Sequence, residues 1–191
     1  MLPQQLSAFF APQVLPGNYT IKLKVGDKEL EDNILLRHLD EKNYTFEDRK
    51  LQYETSMKYF KMHEDLAKTV DDINKEQKII VETKEKLKSK KSKEAASQYF
   101  DQLENLRSTL LATKQKSIFA DETKLREEIT EAYSAVVQSQ QRPSNLSIER
   151  ISVLQKRVDQ AKTTYQDIRD KQGSKFLKHL KEEGINLPLK S

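Results

Sequence analysis

From Thr45 onward the chain carries no proline before Pro143 and no glycine before Gly173. These are the two residue types that most readily stop a helix, so a stretch this long without either commits the chain to long helices. Four fit it. The first opens at Thr45, an N-cap with Asp48 three residues on in the manner of a capping box, and runs to about residue 90. Its apolar marks (Phe46, Tyr53, Met57, Phe60, Leu66, Val70, Ile73, Ile80, Leu87) recur at steps of three and four, which is one face of a helix. The second follows Ser92 and uses Ala96, Tyr99, Phe100, Leu103, Leu106 and Leu110. The third starts near Asp121 with Leu125, Ile129, Tyr133, Val136 and Val137.

Pro143 and Ser144 supply a loop and an N-cap for the fourth helix, which has the most regular register of all. Ile151, Leu154, Val158, Ala161, Tyr165 and Ile168 follow at alternating steps of three and four, the heptad spacing that packs at a shallow angle against a neighbour. Gly173 is expected to end this helix as a C′ residue, with Ser174 capping a short last helix that Gly184 closes. Phe176, Leu177 and Leu180 on that short helix would cover one end of a bundle. Short connections imply an up-and-down arrangement. The first helix is much longer than the third, so its distal half is expected to project with the second as a coiled-coil hairpin.

Upstream the period changes. Residues 1–17 hold three of the five prolines and show no period. They lack the basic start and unbroken apolar run of an export signal. Tyr19, Ile21, Leu23 and Val25 then alternate with Thr20, Lys22 and Lys24, the pattern of a strand with one buried face. Gly26-Asp27-Lys28 reads as a turn, and Asn33 to Leu39 as the returning strand. A lone hairpin is marginal in water, so this one either packs on the helices behind it or belongs to a larger sheet; the side chains suit a sandwich interior, which is the expectation taken forward. The division that follows is an irregular segment 1–17, a β-hairpin 18–42 and a helical bundle 43–191. The fold class is mainly α: an up-and-down helical bundle with a projecting coiled-coil hairpin, preceded by a short β-hairpin that suits a sandwich.

Composition narrows the chemistry. The chain has no cysteine, which excludes thiolate metal sites, disulfides and a cysteine nucleophile. His38, His63 and His179 fall in three separate elements with no metal-binding spacing, and His63 reads as a histidine at the boundary of an apolar face. Four glycines form neither a dinucleotide fingerprint nor a phosphate loop, and no nucleophile elbow occurs. Adjacent carboxylates such as Asp71-Asp72, Glu127-Glu128 and Glu182-Glu183 diverge around a helix and are expected to face water. No catalytic, cofactor-binding or metal-ligating residue is therefore assigned, and the chain reads as a non-enzyme. No apolar run approaches the roughly 20 residues that span a bilayer.

The run Lys84 to Lys93 carries six lysines and one glutamate. It reads first as a solvated hairpin tip, and second as an anionic-partner contact through Lys86, Lys88, Lys90, Lys91 and Lys93. With no arginine and no interleaved aromatic, it is a poor nucleic-acid reader.

The segment Ala11 to Leu23 (APQVLPGNYTIKL) resembles a "V-x-PG-x-YTV-x-L" segment near the end of large bacterial exported proteins built on sortilin-like BNR-repeat β-propellers, many labelled glycosyl hydrolases. Leu51 to Tyr59 is similar to that family's "QFDLSMKLY" helix, and Arg142-Pro143-Ser144 and Gly184 to Pro188 resemble its ending. The family's Asp-Pro-Arg strand exit is Asp40-Glu41-Lys42 here, and the tryptophan-bearing repeats of the propeller are missing, since the chain has no tryptophan. The resemblance implies that the two strands are the last of an immunoglobulin-like domain and that the chain is a non-catalytic C-terminal accessory module, acting by docking of its helix bundle and exported to the periplasm or cell envelope. Its partner would be its own upstream propeller or immunoglobulin-like domain, or an envelope protein. The alternative is a stand-alone cytoplasmic coiled-coil adaptor that oligomerises through the heptad face of residues 151–168.

Overall fold

A computed structural model of the chain describes residues 11–37, 42–112, 122–139 and 141–185. It is mainly helical, with a two-stranded antiparallel hairpin ahead of the helices. The elements are β1 (Gly17–Val25), β2 (Lys28–Leu36), α1 (Phe46–Lys84), α2 (Lys90–Leu110), α3 (Leu125–Val137), α4 (Asn145–Ile168) and α5 (Ser174–Glu182). A π-helical turn, Arg169–Gly173, joins α4 to α5 without a break. The chain divides into two compact units, Met1–Lys61 with Glu131–Ile151 and Met62–Thr130 with Ser152–Ser191.

In the first unit β1 and β2 pair in register from Gly17↔Leu36 to Val25↔Lys28. The returning strand starts five residues earlier than the pattern suggested, because the turn needs only Gly26 and Asp27. Gly26 has φ +61° and Asp27 does not share the positive φ, the signature of a type II′ turn with glycine at its first central position. The expected continuation through His38 and Leu39, like the Asp40-Glu41 exit, lies outside the described residues. Cross-strand charges are matched on the polar face, where Lys22 pairs with Glu31 and approaches Glu29 at 3.7 Å.

Helix α1 begins as expected. Asp48 N–H donates to Thr45 Oγ1, and Asp48 Oδ2 accepts from the Thr45 N–H, both at 3.2 Å. The face it buries in this unit is not the apolar one. Phe46 and Met57 stand 48% and 38% exposed, whereas Gln52 (2%), Thr55 (2%) and Ser56 (3%) are buried beside Tyr59. The cause is the end of α3, whose last carbonyls lack helical partners. Gln52 Nε2 donates to the Val136 carbonyl at 2.8 Å and also reaches the Ser139 carbonyl, while its Oε1 accepts from the Tyr44 hydroxyl at 2.8 Å and from Arg49. Phe60 and Tyr133 meet as a tilted ring pair, centroids 6.5 Å apart.

In the second unit the distal half of α1 and α2 form the expected antiparallel hairpin. Gln77 bonds Glu104 across it at 2.9 Å, and Met62, Leu66, Ile73 and Ile80 lie buried along the α1 side. Helix α1 stops at Lys84, short of residue 90, and Ser89, not Ser92, caps α2. Its Oγ accepts from Ser92 N–H at 3.1 Å, which draws Ser92 into the core. Helix α4 lies parallel to α1, with Lys162 on Asp65 (2.6 Å) and Arg169 on Glu76 (3.5 Å). Arg157 meets Glu128 of α3 at 2.6 Å. Helix α3 starts at Leu125, where Glu127 turns back to accept from the Lys124 N–H at 3.2 Å; Asp121 lies outside the described residues.

Gly173 does not end α4. Its backbone is helical (φ −62°, ψ −45°) and the chain runs through it into α5, so Ser174 is helix interior rather than a cap. The glycine is there for closeness: a Cβ on it would sit 3.0 Å from Tyr99 Oη and 3.1 Å from Cζ. Gly184 does close α5, at φ +70°, with Ile185 N–H on Leu180 O (2.9 Å) and Gly184 N–H on Lys181 O (3.1 Å). Those two bonds make a Schellman motif.

Candidate functional site

Two surfaces stand apart from ordinary solvated helix. The first is the hairpin. Cross-strand partners share a face, so Tyr19 lies with Ile34 and Leu23 with Leu30, while Ile21 faces Asp32 and Val25 faces Lys28, which makes the face mainly apolar with one charge of each sign. Expected to be interior, this face is open: Ile34 is 40% exposed and Leu30 64%, with Ile21, Leu23 and Val25 between them. Among the described residues, the end away from the turn is tied down by the Tyr19 hydroxyl on the Leu15 carbonyl at 2.7 Å and by Arg49 on Gln13 at 2.6 Å. Among the described residues no helix covers the apolar face.

The second surface is the turn between α1 and α2. Lys86 and Lys88 lie in the turn, and Lys90, Lys91 and Lys93 in the first turn of α2; all five are exposed. Here the structure adds a residue that spacing did not point to. Glu183, just past α5, accepts from the backbone N–H of Lys88 at 2.6 Å and of Ser89 at 3.1 Å. Those bonds hold its carboxyl down at about 2, the Lys88 N–H first and Ser92 next among the causes. The orphan amides ahead of α2, where an anion would settle, are thus occupied from within the chain. Of the paired carboxylates, Glu127 and Glu183 do not simply face water: each binds backbone N–H groups.

Elsewhere the chemistry is sparse. Burial, and secondarily the charge of Arg126, holds His63 below its ordinary value, in keeping with a boundary position. His179 lies 3.2 Å from Glu182 on the same helix, and His38 is outside the described residues. Around the π turn, Tyr99 Oη is buried without a well-formed hydrogen bond although Glu76 is near. Burial pushes that hydroxyl upward and lifts neighbouring Tyr165 to about 12. A groove of about 620 Å³ runs between α2, the start of α3 and α4. Its one ionisable lining group, Arg157, is engaged by Glu128. Among the described residues no group of histidine and carboxylate side chains is placed to hold a metal ion, and no helix is long and apolar enough to cross a membrane.

Leu154, Val158, Ala161 and Tyr165, the heptad stripe of α4, are at most 9% exposed inside the second unit of a single chain. Comparison with family models, with curated proteins and with solved structures gives no match for this chain.

Proposed function

We propose that this chain is a non-catalytic interaction module in which the hairpin 17–36 is the docking element and the helices are its carrier. One observation carries the reading: a nine-residue strand pair whose apolar face is more than half exposed at Ile21, Leu23, Val25 and Leu30. A contiguous apolar patch of this kind marks an interaction surface, and a two-stranded ribbon needs further strands or a packed face for stability. The partner that suits it is a β-sheet with its own apolar face. On the resemblance of Ala11–Leu23, that sheet belongs to the immunoglobulin-like or propeller part of an exported protein, or to a neighbouring envelope protein. The adaptor reading has less support, because its seam, Leu154 to Tyr165, is used inside the chain.

The test is the native polypeptide. Immunoblotting source cells against residues 43–185 is expected to show a species several times heavier than 22.3 kDa, in which Leu23→Asp with Leu30→Asp makes the hairpin protease-sensitive. A single band at the mass of this chain, with a hairpin indifferent to both substitutions, overturns the reading.

A further inference from the structure

The positive charge of this chain is segregated. The segments 84–98 and 171–183 contain ten lysines against four glutamates, a balance of +6. That leaves 24 basic and 26 acidic side chains elsewhere, so the whole excess of +4 comes from these two segments. They lie roughly 80 residues apart in sequence, yet both belong to the second unit, where α5 runs antiparallel to the start of α2. Glu183 is fastened to Lys88 and Ser89 at one end, and Lys175 Nζ reaches Gln98 Oε1 at 3.5 Å at the other. Lys90, Lys93, Ser97 and Asp101 follow one face of α2 and, with Glu94 and Gln98 beside them, line a shallow groove with Lys88, three lysines against two acids. Lys175, Lys178 and Lys181 recur at steps of three on α5 and are exposed. Two lysine rows, one on each helix, therefore stand side by side.

We infer that this double row is a docking surface for anionic lipid headgroups. The charge is complementary, and its focusing at one end of a unit gives a field that a near-neutral chain otherwise lacks. All ten cations are lysines, compact point charges suited to a fluid array of phosphates rather than to the planar, bidentate fit that arginine supplies. No exposed aromatic stands among them for a base to stack on, which disfavours single-stranded nucleic acid. Leu177, 46% exposed between Lys175 and Lys178, adds an apolar side chain at the level where an amphipathic helix meets the acyl boundary. The acids in the strip pair weakly: Lys90 with Glu94 at 3.9 Å and Lys178 with Glu182 at 4.0 Å. Glu183 is fastened to the Lys88 and Ser89 amides and holds the two segments together; its negative charge remains and is already counted in the balance of +6.

The experiment is cosedimentation of the full chain with vesicles of phosphatidylcholine alone and of phosphatidylcholine mixed with phosphatidylglycerol. Binding is expected to the anionic vesicles only, weakening about tenfold or more from low to physiological salt as exposed charges are screened. Replacing Lys90, Lys93, Lys175 and Lys178 together by Gln should weaken it about tenfold or more, whereas the same change at Lys50, Lys58, Lys68 and Lys156 should leave it within about twofold. Leu177→Asn should weaken vesicle binding but not binding to heparin. If the quadruple variant melts early, Lys90→Gln with Lys178→Gln carries the same test, since both side chains are open and hold only long ion pairs. No binding to anionic vesicles at low salt overturns the proposal, and so does equal loss in the two quadruple variants. Tighter binding to duplex DNA or RNA than to vesicles at matched phosphate overturns it in favour of a nucleic-acid partner.

Discussion

Gln52 shows how a single polar side chain can replace an apolar one in the packing of α1. Its amide is buried, yet donor and acceptor are both used, and it satisfies two carbonyls at the end of α3 that no helical amide reaches. Gln52→Leu keeps the volume and removes all of this, leaving the Val136 and Ser139 carbonyls and the Tyr44 hydroxyl to find other partners. Each buried group left unmet costs about 1–3 kcal/mol, so a loss of about 3 kcal/mol is expected, read as a lower urea midpoint at unchanged slope. Glu183 carries a second expectation, in pH. Its folded value is depressed to about 2 from 4.5, so the stability it contributes is present above about pH 4.5 and is lost as pH falls toward 2. Thermal melts of the wild type and Glu183→Gln should therefore differ at neutral pH and converge by about pH 2; a constant offset would remove the carboxylate from the latch. Neither residue could be read as important from the sequence. Gln52 lies off the apolar marks of α1, on a polar face with Thr55 and Ser56, and Glu183 gains meaning only when α5 is laid beside the α1–α2 turn.

At the scale of elements, the helices were legible because their signals are local. The Thr45–Asp48 box, the heptad of α4 and the Gly184 stop each lie within a few residues of the structure they specify. The boundary at Gly173 was not legible, because glycine there answers to a distant ring rather than to its own turn. The spacing rule for a C′ glycine and the need for close approach of Tyr99 give the same residue type at the same place. Only the helical φ of Gly173 and the 3.0 Å approach of Tyr99 Oη distinguish them. In an open helix Gly→Ala gains about 1 kcal/mol. Here Gly173→Ala must move the Tyr99 ring or part α2 from the π turn, and a destabilisation of about 1–3 kcal/mol is expected. In a Tyr99→Leu background, where no ring meets the new methyl, the same change should cost less, and a double-mutant cycle measures the coupling. Additive effects would mean that the glycine serves the π turn alone. The hairpin marks the opposite case. Its period-two pattern specifies strand, but nothing within those residues says what covers the face.

At the scale of the whole molecule, the question is which apolar surfaces the chain uses for itself and which it leaves for others. The heptad of α4 looked like a seam for a second copy, and sequence alone offers no means of separating an internal seam from an external one, since both require the same spacing. Burial within one chain supports an internal seam: Leu154 is 1% and Val158 0% exposed. The consequence is measurable. Leu154→Asp or Val158→Asp should abolish the cooperative melt of the second unit, because an unpaired carboxylate in a packed interior has no compensating partner. Sedimentation of the wild type at low micromolar concentration should meanwhile give the mass of one chain. If the wild type instead sediments as an oligomer that either substitution dissociates into folded single chains, α4 is an intermolecular seam. Among the described residues, two of the surfaces left open on such a chain are the hairpin face, Ile21 to Leu30, and the lysine rows of α2 and α5. Since one is apolar and pleated and the other cationic and helical, salt should separate them: raising it weakens the second and leaves the first intact.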